Sequence, residues 1–123
     1  LTTLDFSALG RWHRLEGALA TIATVRYAAP LPYGVVHHDG AIVRDIEEKP
    51  VYRYDINAGV YAFAPAVLAR VAPGRPLAMV DFLNALCAGG DRVRGFPVVE
   101  YWNDVGTPVD FERAQRDAAR LWP

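Results

Sequence analysis

The chain has 123 residues, 52% of them hydrophobic and 22% charged, with 13 basic against 14 acidic side chains and a net charge of −1. That is the length and make-up of one folded domain with a real core. The near-neutral charge argues against binding nucleic acid or a membrane surface through bulk positive potential. The single cysteine, Cys87, cannot close an internal disulfide, and no apolar run approaches the roughly 18 residues of a membrane span.

Asp5, Arg11, Arg14 and Glu16 rule out a signal peptide in the opening residues. A cytoplasmic domain of mixed structure is the expectation. The first residue is Leu1 rather than methionine, which fits a piece cut from a longer chain, and Lys49 is the only lysine.

Phe6, Leu9, Trp12 and Leu15 recur at helical spacing and predict a helix over 2–16, capped by Asp5 or Ser7 and ended by Gly17. The β-branched run at 20–27 predicts a strand, broken by Ala29-Pro30-Leu31-Pro32. Two further strands, 33–38 and 41–48, flank Asp39-Gly40, a hairpin dipeptide whose two positions both call for positive φ. Pro50 closes the second run and is expected to hold Lys49 extended. A strand over 56–63 contains Gly59, and a short helix follows over 65–71. A helix over 80–88 turns Phe82, Leu83 and Leu86 inward and stops at Gly89-Gly90. A strand over 92–99 leads into a polar-aromatic loop. The last helix starts with Thr107 as N-cap, Pro108 in the first turn and Asp110 at N3, and Leu121-Trp122-Pro123 suits the start of a linker. Alternating helices and strands with one inserted hairpin predict an α/β fold, a layered mixed β-sheet flanked by helices. Ligands in such folds bind outside the carboxyl ends of the strands.

Four places carry side chains suited to chemistry. In Glu47-Glu48-Lys49-Pro50 the ammonium of Lys49 suits a phosphate, and the carboxylate of Glu48 can accept hydrogen bonds from sugar hydroxyls. On a regular strand these two side chains point to opposite faces. A shared ligand requires the strand to end or bulge there, which Pro50 permits; a solvated strand end of mixed charge accounts for the same residues. In Asn57-Ala58-Gly59, Asn57 offers a donor and an acceptor and Gly59 marks either a ligand's approach to the backbone or an ordinary bulge. Tyr33-Gly34 supplies a ring and open backbone for a pocket wall, or a turn entering a strand. Asp104 lies in a loop before a helix, placed either to bind a hard cation such as Mg²⁺ or to help cap that helix. His37 and His38 are adjacent on a strand and face opposite ways, so they do not readily share an ion. His13 reads as packing or surface and Cys87 as an inert buried thiol.

The order of these pieces says more than any one of them. Tyr33-Gly34-Val35-Val36, Glu47-Glu48-Lys49-Pro50, Asn57-Ala58-Gly59-Val60-Tyr61 and Trp102-Asn103-Asp104-Val105-Gly106-Thr107-Pro108 together resemble the sugar-1-phosphate nucleotidyltransferase family over nearly the whole chain. The Asn-Ala-Gly motif and Asp81-Phe82-Leu83 look most like mannose-1-phosphate guanylyltransferases. The resemblance implies an enzyme that joins a nucleoside triphosphate to a sugar 1-phosphate and releases pyrophosphate. The sugar phosphate oxygen attacks the α-phosphorus in line, so the protein works mainly by positioning and charge neutralisation.

By the family's motifs, Glu48 would bind sugar hydroxyls and Lys49 the sugar phosphate, with Tyr33, Gly34, Asn57 and Gly59 lining the sugar pocket. Asp104 would hold Mg²⁺ together with a second aspartate, which in the family precedes a segment resembling residues 1–6. Lys49 and Asp104 would be the catalytic pair. The family's nucleotide half carries a Gly-rich phosphate loop, and no G-x-G-T-R-like run occurs here. The resemblance therefore implies that residues 1–123 are the C-terminal, sugar-phosphate-binding part of a Rossmann-like nucleotidyltransferase domain that lacks its N-terminal nucleotide-binding half. Such a part is expected to be inactive alone and to self-associate through an unpaired sheet edge or exposed apolar face. The alternative is a non-catalytic module that binds sugar phosphate or mediates assembly.

Overall fold

The computed structural model describes residues 1–122; Pro123, where the linker is expected to start, lies outside them. The elements in chain order are α1 (Phe6–Leu15), β1 (Ala20–Pro30), β2 (Val35–Asp39), β3 (Ile42–Glu47), β4 (Val51–Phe63), a 3₁₀ helix (Pro65–Arg70), α2 (Met79–Ala88), β5 (Val93–Val98) and α3 (Pro108–Leu121). Among the described residues they form two units, one made of 1–25 with 57–122 and the other of Arg26–Ile56. Among the described residues no helix is long and apolar enough to cross a membrane.

The larger unit is the α/β layer arrangement that the sequence predicts. Its sheet has the order β4-β1-β5, with β1 and β5 parallel, Ala20 opposite Val93 and Val25 opposite Val98. The first half of the central strand, from Ala20 to Val25, is packed on both faces, as parallel strands are. Ala23 packs with Leu4, Leu9, Ala58 and Val98 on one face, and Ala20 packs with Val67, Phe82, Leu83 and Leu86 on the other. Thus α1 covers one side of β1 and α2 the other.

Helix α1 starts later than its apolar spacing suggests. Asp5 Oδ1 accepts from the N–H groups of Ser7 and Ala8 at 2.8 and 3.0 Å, so Asp5 is the cap and Phe6 the first helical residue. Residues 1–3 are instead drawn to the loop before α3: Thr3 donates its N–H to Tyr101 O at 3.0 Å, and Thr2 bridges Trp102. The buried face of α1 is Leu9 and His13, while Phe6 and Leu15 face solvent. Helix α2 buries Phe82, Leu83 and Leu86 as expected. Cys87 is exposed, not buried as expected, because one residue past Leu86 the helix has rotated away from the core. Helix α3 starts as expected: Thr107 Oγ1 accepts from Asp110 N at 3.2 Å and donates to Asp110 Oδ2 at 2.6 Å.

His13 packs as predicted, with one polar partner, its Nδ1 lying 2.8 Å from Thr21 Oγ1 in the interior. Burial, and then the charge of Arg14, pushes its pKa below the ordinary 6.5. An unfolded chain therefore takes up a proton at His13 more readily than the folded one. The stabilisation is complete above about pH 6.5 and is lost as the pH falls from there through the folded pKa. Urea titrations between pH 8 and 5 should show that decline, and His13→Gln should flatten it.

In the smaller unit, β2 and β3 pair antiparallel from Val35–Glu47 to Asp39–Ile42, with an irregularity between His37 and His38. The turn lies one residue later than Asp39-Gly40. Asp39 stays in the ladder, and Gly40 alone takes positive φ, at +57°. A two-residue turn with glycine first needs only that one left-handed position. Strand β1 runs on to Pro30, and Leu31 donates its N–H to Pro50 O at 2.9 Å. Proline is tolerated at a strand's end, where its missing N–H breaks no ladder.

Candidate functional site

The smaller unit holds Tyr33, Gly34, Glu48 and Lys49. Strand β3 ends at Glu47, and Lys49 adopts φ +46°, making it the one non-glycine left-handed residue among those described. Lys49 is therefore not extended. The ring of Pro50 closes the right-handed helical region to the residue before it. Continued extension would prolong β3, so a turn at Lys49 leaves the left-handed conformation. That conformation costs about 1–2 kcal/mol in a residue with a Cβ. It also removes the opposite-face problem, since Lys49 Nζ lies 3.9 Å from Glu48 Oε1, with both side chains open to solvent.

Gly34 is opposite this turn, one residue beyond the Val35–Glu47 pair. A Cβ added to it would lie 3.1 Å from Glu48 Oε2 and 3.3 Å from Ile46 Cγ2. Bare backbone at 34 is what lets the Glu48 carboxylate come down beside it, with the Tyr33 ring 72% exposed next to it. Gly34→Ala should displace the carboxylate while changing stability by less than about 1 kcal/mol, because the end of a glutamate can swing aside. Thermal melts of the native chain and the variant read that difference.

The larger unit holds Asn57, Gly59 and Asp104. Gly59 has φ +72°, and nothing lies within 4 Å of an added Cβ, so glycine is needed here for its dihedral rather than for space. Side chains hold the strand around this left-handed glycine. Asn57 Oδ1 accepts from Gly59 N at 2.9 Å, Asn57 Nδ2 donates to the Tyr61 hydroxyl at 2.8 Å, and Trp102 Nε1 donates to Ala58 O at 2.9 Å. Asn57 retains one N–H and one lone pair for a ligand. Tyr61 and Trp102 fall inside the sequence motifs, but nothing local shows that they hold Asn57 and the Ala58 carbonyl.

Asp104 is exposed in the loop before α3, with Oδ1 accepting from Val105 N at 2.9 Å. Thr107, not Asp104, caps the helix, which leaves the aspartate's second oxygen uncommitted. The adjoining Asn103 exchanges two 2.8 Å backbone hydrogen bonds with Leu1. The hydroxyl of Tyr101 donates to Asp117 Oδ2 at 2.6 Å, which pushes the phenol's pKa up and ties the loop to α3. Among the described residues no three His, Cys, Asp or Glu side chains form a metal cluster.

Residues 1–120 match the family described as nucleotidyl transferase. The chain belongs to that family. It is 34% identical to a mannose-1-phosphate guanylyltransferase of Mycobacterium tuberculosis, over 98% of this chain and 35% of that protein. It is 32% identical to a mannose-1-phosphate guanyltransferase of Schizosaccharomyces pombe, over 86% of this chain and 30% of that one. Among solved structures, a Bacillus anthracis protein described as a glucose-1-phosphate thymidylyltransferase, in complex with a sucrose, superposes with a TM-score of 0.66 at 21% identity, covering 96% of this chain and 50% of its own. HddC from Yersinia pseudotuberculosis superposes with a TM-score of 0.63 at 20% identity, over 94% and 50%. These structures share the fold. The nucleotidyl transferase chain described here spans about a third of the curated relatives it matches and half of the solved ones.

Proposed function

We propose that this chain is the C-terminal, sugar-1-phosphate-binding part of an enzyme that makes a nucleoside diphosphate sugar and pyrophosphate from a nucleoside triphosphate and a sugar 1-phosphate. The observation that carries the reading is the left-handed turn at Lys49, which sets its ammonium beside Glu48 over the bare backbone of Gly34. Lys49 neutralises the sugar's phosphate as a point charge, and Glu48 accepts hydrogen bonds from sugar hydroxyls. In the same smaller unit Tyr33 supplies an apolar wall; in the larger unit, taken by itself, Asn57 offers its remaining N–H to a hydroxyl beside the open backbone of Gly59. On this reading Lys49 and Glu48 hold the sugar phosphate for in-line attack of a phosphate oxygen on the α-phosphorus, with pyrophosphate leaving on the opposite side.

Asp104 fits a magnesium ligand, being an exposed hard oxygen donor with one oxygen free, and Mg²⁺ usually binds through one or two carboxylates plus substrate phosphates. When bound, the ion would neutralise phosphate charge. The names of the curated relatives point to mannose 1-phosphate as the substrate to try first. Among the described residues Asp104 belongs to no cluster of three potential metal ligands, and the sequence holds no Gly-rich phosphate run, which supports the reading that turnover needs residues beyond these. Val36 and Ile46 face each other across the hairpin and are both exposed, which supports self-association.

Titration calorimetry with mannose 1-phosphate, mannose and inorganic phosphate tests the reading. Saturable binding of the sugar phosphate, tighter than either fragment, is expected, and no binding would overturn it. With GTP and Mg²⁺ added, pyrophosphate release above a Lys49→Ala control would show that the chain is active alone.

A further inference from the structure

A cavity of about 460 Å³ lies in the larger unit between the last turn of α1 and the end of β4, walled by Ala18, Phe63, Ala64 and Pro65 and edged by His13 and Arg14. Phe63 is six residues beyond Asn57, about 20 Å along the strand, so the cavity is separate from the Asn57–Gly59 stretch. Its size suits a small molecule.

The polar groups of the cavity say what kind of molecule. His13 is 93% buried, since 7% of it remains exposed. Its Nδ1 meets Thr21 Oγ1, and Thr21 is wholly buried, with no other acceptor recorded for its hydroxyl. Hydrogen-bond satisfaction assigns the hydroxyl as donor to Nδ1, and the ring as the tautomer with its hydrogen on Nε2. Nε2 has no partner in the described protein. No buried, unpartnered side-chain nitrogen or oxygen occurs among the described residues, so this N–H opens into the cavity that His13 lines.

Arg14 forms no ion pair among the described residues, whereas its neighbour Glu16 is held by Arg94 at 3.4 Å. The carbonyls at the end of α1 are already taken up by Arg92, whose Nη1 donates to Glu16 O and Gly17 O at 3.2 and 3.4 Å. The uncommitted side chains at the cavity's edge are both donors: the neutral N–H of His13, and the guanidinium of Arg14, whose Nη1 lies over Gly10 and reaches the cavity by rotation of its own exposed side chain.

We propose that this cavity binds a small organic anion with an apolar body, its acidic group on Arg14 and an acceptor atom on His13 Nε2–H. The inference is independent of the sugar-phosphate reading. It is tested by following the ring nitrogens of ¹⁵N-histidine-labelled protein by NMR while adding 2-naphthoate, with 2-naphthylmethanol and acetate as the uncharged and bodiless controls. The expected result is a His13 Nε2–H tautomer and a saturable His13 shift with naphthoate. Both controls and Arg14→Gln, a surface change that leaves the core intact, should bind at least tenfold more weakly. Lys49→Ala should bind naphthoate as the native chain does. A hydrogen on Nδ1, no saturable shift, equal binding of the alcohol, or full binding by Arg14→Gln would overturn the proposal.

Discussion

Phe82→Ala is expected to lower the unfolding free energy by about 3–5 kcal/mol, against 5–15 kcal/mol for a whole domain of ordinary stability. Phe82 is 6% exposed and lies in the cluster formed by Ala20, Val67, Leu83 and Leu86. Its ring is 6.2 Å from that of Phe63, tilted by 46°. The small Ala20 beneath it cannot fill the hole, so the cavity term adds to the lost transfer energy. The helix that carries Phe82 has no side-chain cap at Ala78. Without a cap, α2 depends on packing to stay folded, as short helices generally do. Phe111→Ala is the matched control, since Phe111 is 53% exposed on α3 and should cost under about 0.5 kcal/mol. Urea denaturation of both variants reads the difference. Equal losses would mean that the core does not lie against α2.

What could be read from the sequence follows the range of the interactions involved. Thr107-Pro108 and Asp110 define the start of α3 through contacts within three residues, and the structure agrees. Phe82, Leu83 and Leu86 repeat at helical spacing and face inward, for the same local reason. The start of α1 was misplaced because Thr2 donates its hydroxyl to Tyr101 O, 99 residues away, and no local pattern encodes that partner. The candidate site divides the same way. Residue types and their order identify the motif positions, but the Ala58 carbonyl between Asn57 and Gly59 is held by Trp102, 44 residues away. At Lys49 the limit is of another kind. A following proline forbids the right-handed helical region but leaves extended and left-handed backbone both open. The choice between them is made by the need to leave β3, and Leu31 bonding to Pro50 O secures the outcome.

Two substitutions at Lys49 should share one effect and differ in another. Lys49→Ala and Lys49→Gly both remove the ammonium. A hydrogen bond to a charged group contributes about 1.5–3 kcal/mol, so sugar 1-phosphate affinity should fall roughly 10–100-fold in each. Their stabilities should differ because the backbone at 49 is left-handed. Alanine keeps the Cβ and hence the strain, so its melting temperature should match that of the native chain. Glycine releases about 1–2 kcal/mol of strain and returns about 0.4–1 kcal/mol through the greater freedom of the unfolded chain. The glycine variant should therefore be as stable as the native protein or more so, yet bind no better than the alanine variant. Calorimetric titration and thermal melts on the three proteins read both quantities. Native-like binding by the glycine variant would remove Lys49 from the phosphate site. A glycine variant less stable than the alanine one would show that position 49 is not left-handed, and the pairing of Lys49 with Glu48 would lose its basis. Loss of binding at unchanged or higher stability would instead show that the protein keeps a strained, charged residue where glycine would fold at least as well, as expected of a residue retained for the ligand.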